Sequence, residues 1–96
     1  MSKLRDAAKG QDCQVRIPGI CNRNSETTIL AHYRLAGTCG VGVKPIDLAG
    51  AWCCSDCHDA VDGRRNTAFE RTTLDLMHAE GVFRTMAALH KKGLLK

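Results

Sequence analysis

The chain has 96 residues, which is the length of one small domain. Its 14 Lys and Arg residues against 10 Asp and Glu give a net charge of +4, which permits a nucleic-acid partner without requiring one. Only 4% of the residues are aromatic, so a core of this size needs additional stabilisation, and the six cysteines are the obvious source.

The six cysteines allow two interpretations, disulfides or a metal site. Residues 1–6 are charged and lack the apolar segment of a secretory signal, and no run of residues reaches transmembrane length. We therefore expect a cytoplasmic protein with reduced thiols and no membrane partner, in which zinc is favoured over disulfides. A small secreted domain held by disulfides is the disfavoured alternative.

The first segment, residues 1–11, is predicted to be a polar N-terminal arm. Residues 2–9 have the composition of a frayed helical turn, an ordered tail or a solubilising arm, and we favour the solubilising arm. A core of residues 12–63 and a helical C-terminal part of residues 64–96 complete a single domain over residues 1–96.

The core begins with two cysteines on either side of a turn. Val15 and Ile17 alternate with polar residues as in a short strand, and Pro18-Gly19 indicates a turn. Cys13 and Cys21 are then brought together as half of a zinc site, although their seven-residue spacer exceeds the usual two to four. The alternative is that both are small buried apolar residues.

Two strands are predicted next. Residues 27–35 are β-branched and apolar and carry His32, and residues 46–52 bring the chain back as a second, shorter strand. The glycine-rich residues 37–45 connect the two strands and match neither a phosphate-binding loop nor a dinucleotide fingerprint.

A helix is predicted over residues 54–63, and it begins with a C-x-x-C motif. Cys54 and Cys57 supply the second half of a zinc site, and the adjacent Cys53 is a possible substitute for Cys54. His58 and Asp62 are four residues apart, so they share a helix face and offer nitrogen and oxygen to a second, harder metal.

The C-terminal residues have helical apolar spacing up to Lys92. Thr67 is the predicted N-cap, with Glu70 completing a capping box, and Gly81 is expected to divide the segment into two helices. His78 and His90 lie on these helices without a ligand partner nearby in sequence, and we interpret them as packing or surface residues.

The order of these features resembles the HNH, or ββα-metal, nucleases of the zinc-containing kind: C-x7-C, a strand with a histidine ("LAHYR"), a glycine-rich loop, and then "CSDCH" opening a helix. Short prophage-encoded proteins with this pattern look still closer. The resemblance implies an α+β fold, a small ββα-metal (HNH-like) domain with a β-hairpin, a helix joined to it by zinc, and C-terminal helices.

The resemblance also implies a role for each matching residue. Cys13, Cys21, Cys54 and Cys57 would bind a structural Zn²⁺. His32 would be the general base that activates water, and His58 and Asp62 would bind a catalytic Mg²⁺ or Mn²⁺. Asp47 lies close to the sequence position at which the family has its central asparagine. The residue before the base, a frequent metal ligand in the family, is Ala31 here.

The implied function is metal-dependent hydrolysis of DNA phosphodiester bonds by an endonuclease with no small-molecule cofactor. Arg34, Arg64 and Arg65 flank the implied site in sequence and are candidates for contacting phosphates, as against being solvated surface charges. The alternative function is a zinc-stabilised DNA- or protein-binding module without catalysis. Redox chemistry at the C-x-x-C motif is disfavoured because no βαβ unit surrounds it.

Overall fold

The computed structural model describes residues 3–35, 37, 39–40, 42–43 and 45–94, and within them the chain forms an α+β domain. The helices and strands of this described part are α1 (Lys3–Ala8), β1 (Ile29–His32), β2 (Gly50–Cys53), α2 (Ser55–Val61) and α3 (Arg71–Lys91). A 3-10 turn precedes each strand, at Ser25–Thr27 and at Asp47–Ala49.

The two strands form an antiparallel hairpin, and α2 follows it directly in the expected ββα order. In the register of the hairpin, Ile29 lies opposite Cys53 and His32 lies opposite Gly50. Both strands are shorter than predicted: 3-10 turns include Thr27 and Asp47–Ala49, and β1 ends at His32, before its predicted end at residue 35. Asn24 fixes the first of these turns, since its side chain accepts the Glu26 N–H at 3.1 Å.

The N-terminal segment is part of the packed structure. Residues 3–8 form α1, and Ala8 is fully buried with Leu30, Trp52 and Leu89 in one of two apolar clusters. The expectation of a solubilising arm is therefore wrong for these residues, because α1 contacts β1 and shares an apolar cluster with β1, β2 and α3.

The C-terminal segment departs from prediction at two positions. The expected break at Gly81 is wrong: α3 is one helix of 21 residues. Gly81 is instead a site of close approach, since a Cβ there would lie 2.7 Å from Cγ2 of Val15. The predicted N-cap is also wrong, because α3 begins after Glu70 and the Thr67 hydroxyl accepts the Phe69 N–H at 3.1 Å in the turn before it.

The segment between Cys13 and Cys21 is packed but irregular. Val15 and Ile17 are buried as an alternating pattern predicts, yet they form no strand. The Pro18-Gly19 turn is present, with Gly19 at a φ of +75° and the Ile20 N–H donating to the Ile17 carbonyl at 3.1 Å.

The predicted glycine-rich connection lies partly outside the described residues. Within the described part, Gly40 and Val43 pair through an isolated antiparallel bridge. No helix in the part of the chain that the structure describes is both long enough and apolar enough to cross a membrane.

Candidate functional site

Four cysteine sulfurs converge between the first loop and the start of α2. The Sγ atoms of Cys13, Cys21, Cys54 and Cys57 all lie within 4.8 Å of one another. Cys54 and Cys21 are 3.9 Å apart at sulfur, and four thiolates placed tetrahedrally around zinc at about 2.3 Å stand about 3.8 Å apart. The donor set and its spacing therefore fit a closed, structural metal site such as zinc.

The backbone around this site is shaped to donate hydrogen bonds to sulfur. Arg16 and Arg23 have left-handed φ values of 54° and 56°, which cost non-glycine residues free energy. In this conformation the Arg16 N–H reaches Cys13 Sγ at 3.5 Å, and the Arg23 N–H bonds to Cys21. Cys54 is the N-cap of α2, and its sulfur accepts the Cys57 N–H at 3.4 Å. Such donors stabilise thiolates, which are the species that bind metal.

A fifth cysteine adjoins the four-sulfur set without being part of it. Cys53 is fully buried at the end of β2. Hydrogen bonding to Cys13 and then to Cys57 raises the pKa of the Cys53 thiol, and donation from Cys53 lowers the pKa of Cys13. Cys53 is therefore a protonated donor beside the candidate metal ligands, and the converging set contains Cys54 in its place.

His32, at the end of β1, is paired with a carboxylate. Its Nε2 lies 2.8 Å from Oδ1 of Asp47, and both side chains are 26% exposed. Because a carboxylate accepts, Nε2 carries the proton, and Nδ1 is the nitrogen with a lone pair in the neutral ring. Arg5 of α1 approaches the second oxygen of Asp47 at 3.7 Å. Asp47 therefore orients His32, and α1 supports Asp47.

His58 and Asp62 share one face of α2, as their spacing predicts. His58 Nε2 lies 3.1 Å from Asp62 Oδ2. Arg64 contacts both residues, with Nη1 at 3.2 Å from Asp62 and Nη2 at 3.2 Å from His58 Nδ1. The guanidinium can only donate to His58 Nδ1, so His58 Nε2 carries the proton and donates to Asp62.

The three arginines proposed as phosphate contacts lie in different environments. Arg64 contacts His58 and Asp62 as described and also pairs with Asp59 at 3.0 Å. Arg65 pairs with Asp56 at 3.2 Å. Arg34 is exposed beside His32. All three are close to the hairpin and α2, but only Arg34 lines the groove described next.

An open groove of about 150 Å³ lies between the end of β1, the end of α2 and α3. It brings together three residues predicted from the sequence, His32, Arg34 and Asp62. The residues that line it are His32, Tyr33, Arg34, Val61, Asp62, Asp75 and His78. His58 is paired with Asp62 at its edge rather than being part of its lining.

Two residues of the groove lining on α3, Asp75 and His78, were not among the site residues predicted from the sequence, and His78 is buried in agreement with its interpretation as a packing residue. Asp75 pairs with Arg71 at 3.0 Å. His78 is 6% exposed, its Nε2 donates to the Ala31 carbonyl at 2.9 Å, and its ring lies 5.2 Å from that of Tyr33. Burial lowers the pKa of His78. The only available signal was their three-residue spacing, which places both on one helix face.

Comparison with known proteins identifies relatives over the whole chain. A family model described as "Putative nuclease YbcO" matches residues 2–94. A protein of Escherichia coli strain K12 named "Putative nuclease YbcO" is 48% identical over 96 residues, covering 100% of this chain and 99% of that protein. A protein of Enterobacteria phage 82 named "Putative nuclease ybcO" has the same identity and coverage. The predicted closeness to short prophage-encoded proteins is confirmed.

The fold is shared with a solved structure as well. "Structure of a putative bacteriophage protein from Escherichia coli str. K-12 substr. MG1655" superimposes with a TM-score of 0.79 at 42% identity. The match covers 95% of this chain and 100% of the solved chain. The α+β architecture described above is therefore shared with that solved structure.

Proposed function

The chain belongs to the family of putative nuclease YbcO, and from that membership we propose that it is a cytoplasmic, metal-dependent endonuclease of the HNH kind that hydrolyses DNA phosphodiester bonds. The observation that carries the proposal is that His32, which lines the groove together with Asp62, is paired with Asp47. This pairing leaves one imidazole nitrogen with a lone pair beside a carboxylate suited to a hard cation.

His32 is the general base in this proposal. Its Nδ1 takes a proton from the water that attacks phosphorus, while Nε2–H donates to Asp47 at 2.8 Å. The Asp47 carboxylate holds the ring in this tautomer and stabilises the positive charge that the ring acquires. A histidine is a suitable base near neutral pH because its ordinary pKa is about 6.5.

His58 and Asp62 fit a divalent cation. Six ligands arranged octahedrally at about 2.1 Å place neighbouring ligand atoms about 3 Å apart. The distance between His58 Nε2 and Asp62 Oδ2 is 3.1 Å. Mg²⁺ or Mn²⁺ held there would stabilise the negative charge that develops on the phosphate and on the leaving oxygen. To bind it, the His58 proton would move from Nε2 to Nδ1, so Arg64 would have to release both His58 Nδ1 and Asp62.

The three candidate arginines differ in whether they must break an ion pair before they can bind a phosphate. Arg34 is exposed at the groove and is available to a phosphate without rearrangement. Arg64 and Arg65 exchange a carboxylate partner for a phosphate, so they contribute less. Such contacts are made to the DNA phosphates rather than to the bases. Because they are electrostatic, DNA binding should weaken as the salt concentration is raised.

A zinc-stabilised binding module without catalysis is the second candidate, and one observation favours it. Arg64 contacts both His58 and Asp62, so this cluster is satisfied as a network of surface ion pairs and requires no cation. In a binding module the same residues would contact nucleic acid or protein, and substitutions in them would alter affinity without removing any cleavage.

Cleavage of a supercoiled plasmid and of a single-stranded circle distinguishes the two candidates. Purified zinc-loaded protein is assayed at low salt with Mg²⁺, with Mn²⁺ or with EDTA, and zinc is quantified in every sample. We expect cleavage that requires the divalent ion and falls by about 10- to 100-fold or more in Asp62→Asn. Asp6→Asn, an exposed carboxylate on α1, is the matched control and retains activity. Zinc-loaded protein that binds but cleaves neither substrate would contradict the nuclease proposal.

A further inference from the structure

The groove has a buried histidine that the proposed catalytic roles leave unused. His78 is 6% exposed, yet its ring lines the groove beside Asp62 and Asp75. The ring is fixed on two sides, by the Ala31 carbonyl at 2.9 Å from Nε2 and by the ring of Tyr33. His78 is therefore a rigid residue with one side facing the groove.

The orientation of His78 determines which nitrogen is available. A carbonyl oxygen only accepts, so Nε2 must carry the proton, and in the neutral ring the lone pair is on Nδ1. Within the described residues Nδ1 has no hydrogen-bond partner. A buried imidazole with one nitrogen held by a backbone carbonyl and the other unengaged is the usual arrangement of a metal-binding histidine.

We propose that His78 Nδ1 is a third protein ligand of the divalent cation held by His58 and Asp62, an inference that rests on the proposed function. Two side chains leave a six-coordinate ion dependent on water and phosphate, and α3 supplies a further ligand from across the groove. Two imidazoles with one carboxylate suit a transition metal better than Mg²⁺, which is usually bound through carboxylates and water. The centre therefore prefers Mn²⁺ to Mg²⁺, and His78 contributes to that preference.

The proposed cation ligands Asp62 and His78 differ in how firmly the protein holds their side chains. Within the described residues, only the four cysteine sulfurs lie within 4.8 Å of one another as a set of three or more ligands. Asp62 lines the groove with a side chain that is 39% exposed, whereas His78 is 6% exposed and is held by the Ala31 carbonyl. His78 is thus the preorganised ligand and Asp62 the more exposed one.

His78→Gln separates the proposed role from simple packing. A glutamine amide at this position keeps a donor for the Ala31 carbonyl but has no ring Nδ1. His90→Gln is the matched control, since His90 is exposed on the same helix. Mn²⁺ affinity of the zinc-loaded protein is measured without DNA from the electron paramagnetic resonance signal of free Mn²⁺.

We expect His78→Gln to weaken Mn²⁺ binding about tenfold or more, because loss of a ligand costs at least as much as loss of an outer-shell partner. The Mn²⁺ preference over Mg²⁺ falls with it, and His90→Gln changes neither. Unchanged Mn²⁺ affinity in His78→Gln, with affinity lost in Asp62→Asn, would overturn the inference and leave the proposed function intact. Absence of Mn²⁺ binding to wild-type protein would overturn both.

A measurement on the wild-type protein applies even if His78→Gln does not fold. Substoichiometric Mn²⁺ broadens the NMR signals of nuclei close to it. We expect the ring signals of His78 to disappear while those of His90 persist. Persistence of both sets of signals at Mn²⁺ levels that broaden His58 would overturn the inference.

Discussion

The zinc site and the groove are built from opposite kinds of contacts, although α2 contributes to both. The four cysteine sulfurs converge within 4.8 Å, and three of the four residues are buried. At the groove, Asp62 is 39% exposed and pairs with His58 and Arg64 at the groove edge, and Arg34 is exposed. The first site is enclosed and fits a structural metal such as zinc, and the second is open and lies beside exchangeable ion pairs.

Because of this difference, we expect the cysteine site to determine the stability of the fold and the groove to determine cleavage. A structural metal has to be enclosed, because its binding free energy is part of the folding free energy of a small domain. A catalytic site has to remain accessible, so its ligands keep temporary partners until cation and substrate arrive. Substitutions on the zinc side should therefore affect folding, and substitutions in the groove should affect cleavage or cation binding.

The largest effect is expected from Cys54→Ser. Structural zinc contributes about 10–16 kcal/mol in small zinc domains, more than the whole stability of many proteins of this size. We expect Cys54→Ser to lose zinc and cooperative unfolding. Cys53→Ser is the matched control: it retains one zinc per chain and melts at a lower temperature, because it places a hydroxyl in the buried core. Zinc content and thermal unfolding of the two variants test this, and the opposite pattern would make Cys53 the ligand.

The next effect concerns the residue that orients the proposed base. Asp47→Asn keeps an oxygen for His32 Nε2–H but removes the negative charge that stabilises the protonated ring. We expect cleavage to slow by about 10- to 100-fold, less than the roughly 10²–10⁴ associated with a general base itself. Zinc content and melting temperature should stay close to those of wild type. A rate equal to wild type would mean that Asp47 does not support the chemistry.

Arg5→Ala tests whether α1 contributes to cleavage through its contact with the second carboxylate oxygen of Asp47. The Arg5 guanidinium is 3.7 Å from the carboxylate, and its side chain is 61% exposed. Exposed pairs of this kind contribute little, so we expect less than about a threefold change in cleavage rate. A loss as large as that of Asp47→Asn would show that α1 is essential to the base.

Gly81→Ala tests the contact that joins the two regions. Val15 lies in the loop between the first two zinc ligands, and a Cβ on residue 81 would lie 2.7 Å from its Cγ2. We expect destabilisation of about 1–2 kcal/mol, because overpacking outweighs the better helix propensity of alanine. Ala87→Gly, at an exposed position of α3, measures propensity alone and costs about 1 kcal/mol. Chemical denaturation of both gives the comparison, and a stabilised Gly81→Ala would contradict the close packing.

The smallest effect is a titration. Burial lowers the pKa of His78, so its ring should titrate below the ordinary value of about 6.5. Because the pKa is lower in the folded state than in the unfolded state, the neutral ring favours the fold above about pH 6.5, and this contribution is lost as the pH falls. NMR titration without a divalent ion measures it, with His78→Gln assigning the signal. A midpoint at or above the ordinary value would contradict the burial.

Local patterns predicted the parts of the site that lie close together in the chain. The C-x-x-C spacing of Cys54 and Cys57 and the four-residue spacing of His58 and Asp62 are properties of one short helix, so the sequence contains them directly. The hairpin before α2 was predicted in the correct order, although both strands were predicted too long.

The features that were missed depend on contacts between distant segments. His78 reaches the carbonyl of Ala31, 47 residues away, and no pattern within α3 indicates that neighbour. The low helix propensity of Gly81 predicted a break in the helix, but α3 continues through it. The close packing of Val15 against this position explains why the residue is a glycine. α1 was misjudged for the same reason, since the burial of Ala8 depends on Leu30 and Trp52.

The most direct test of the central claim is single-turnover cleavage of supercoiled plasmid by zinc-loaded wild-type protein and zinc-loaded His32→Ala, with Mn²⁺ present and with equal zinc content. We predict that wild type nicks the plasmid and that His32→Ala is slower by about 10²–10⁴-fold with its fold intact. Equal rates for the two zinc-loaded proteins would contradict the assignment of His32 as the base and of this groove as the site of cleavage.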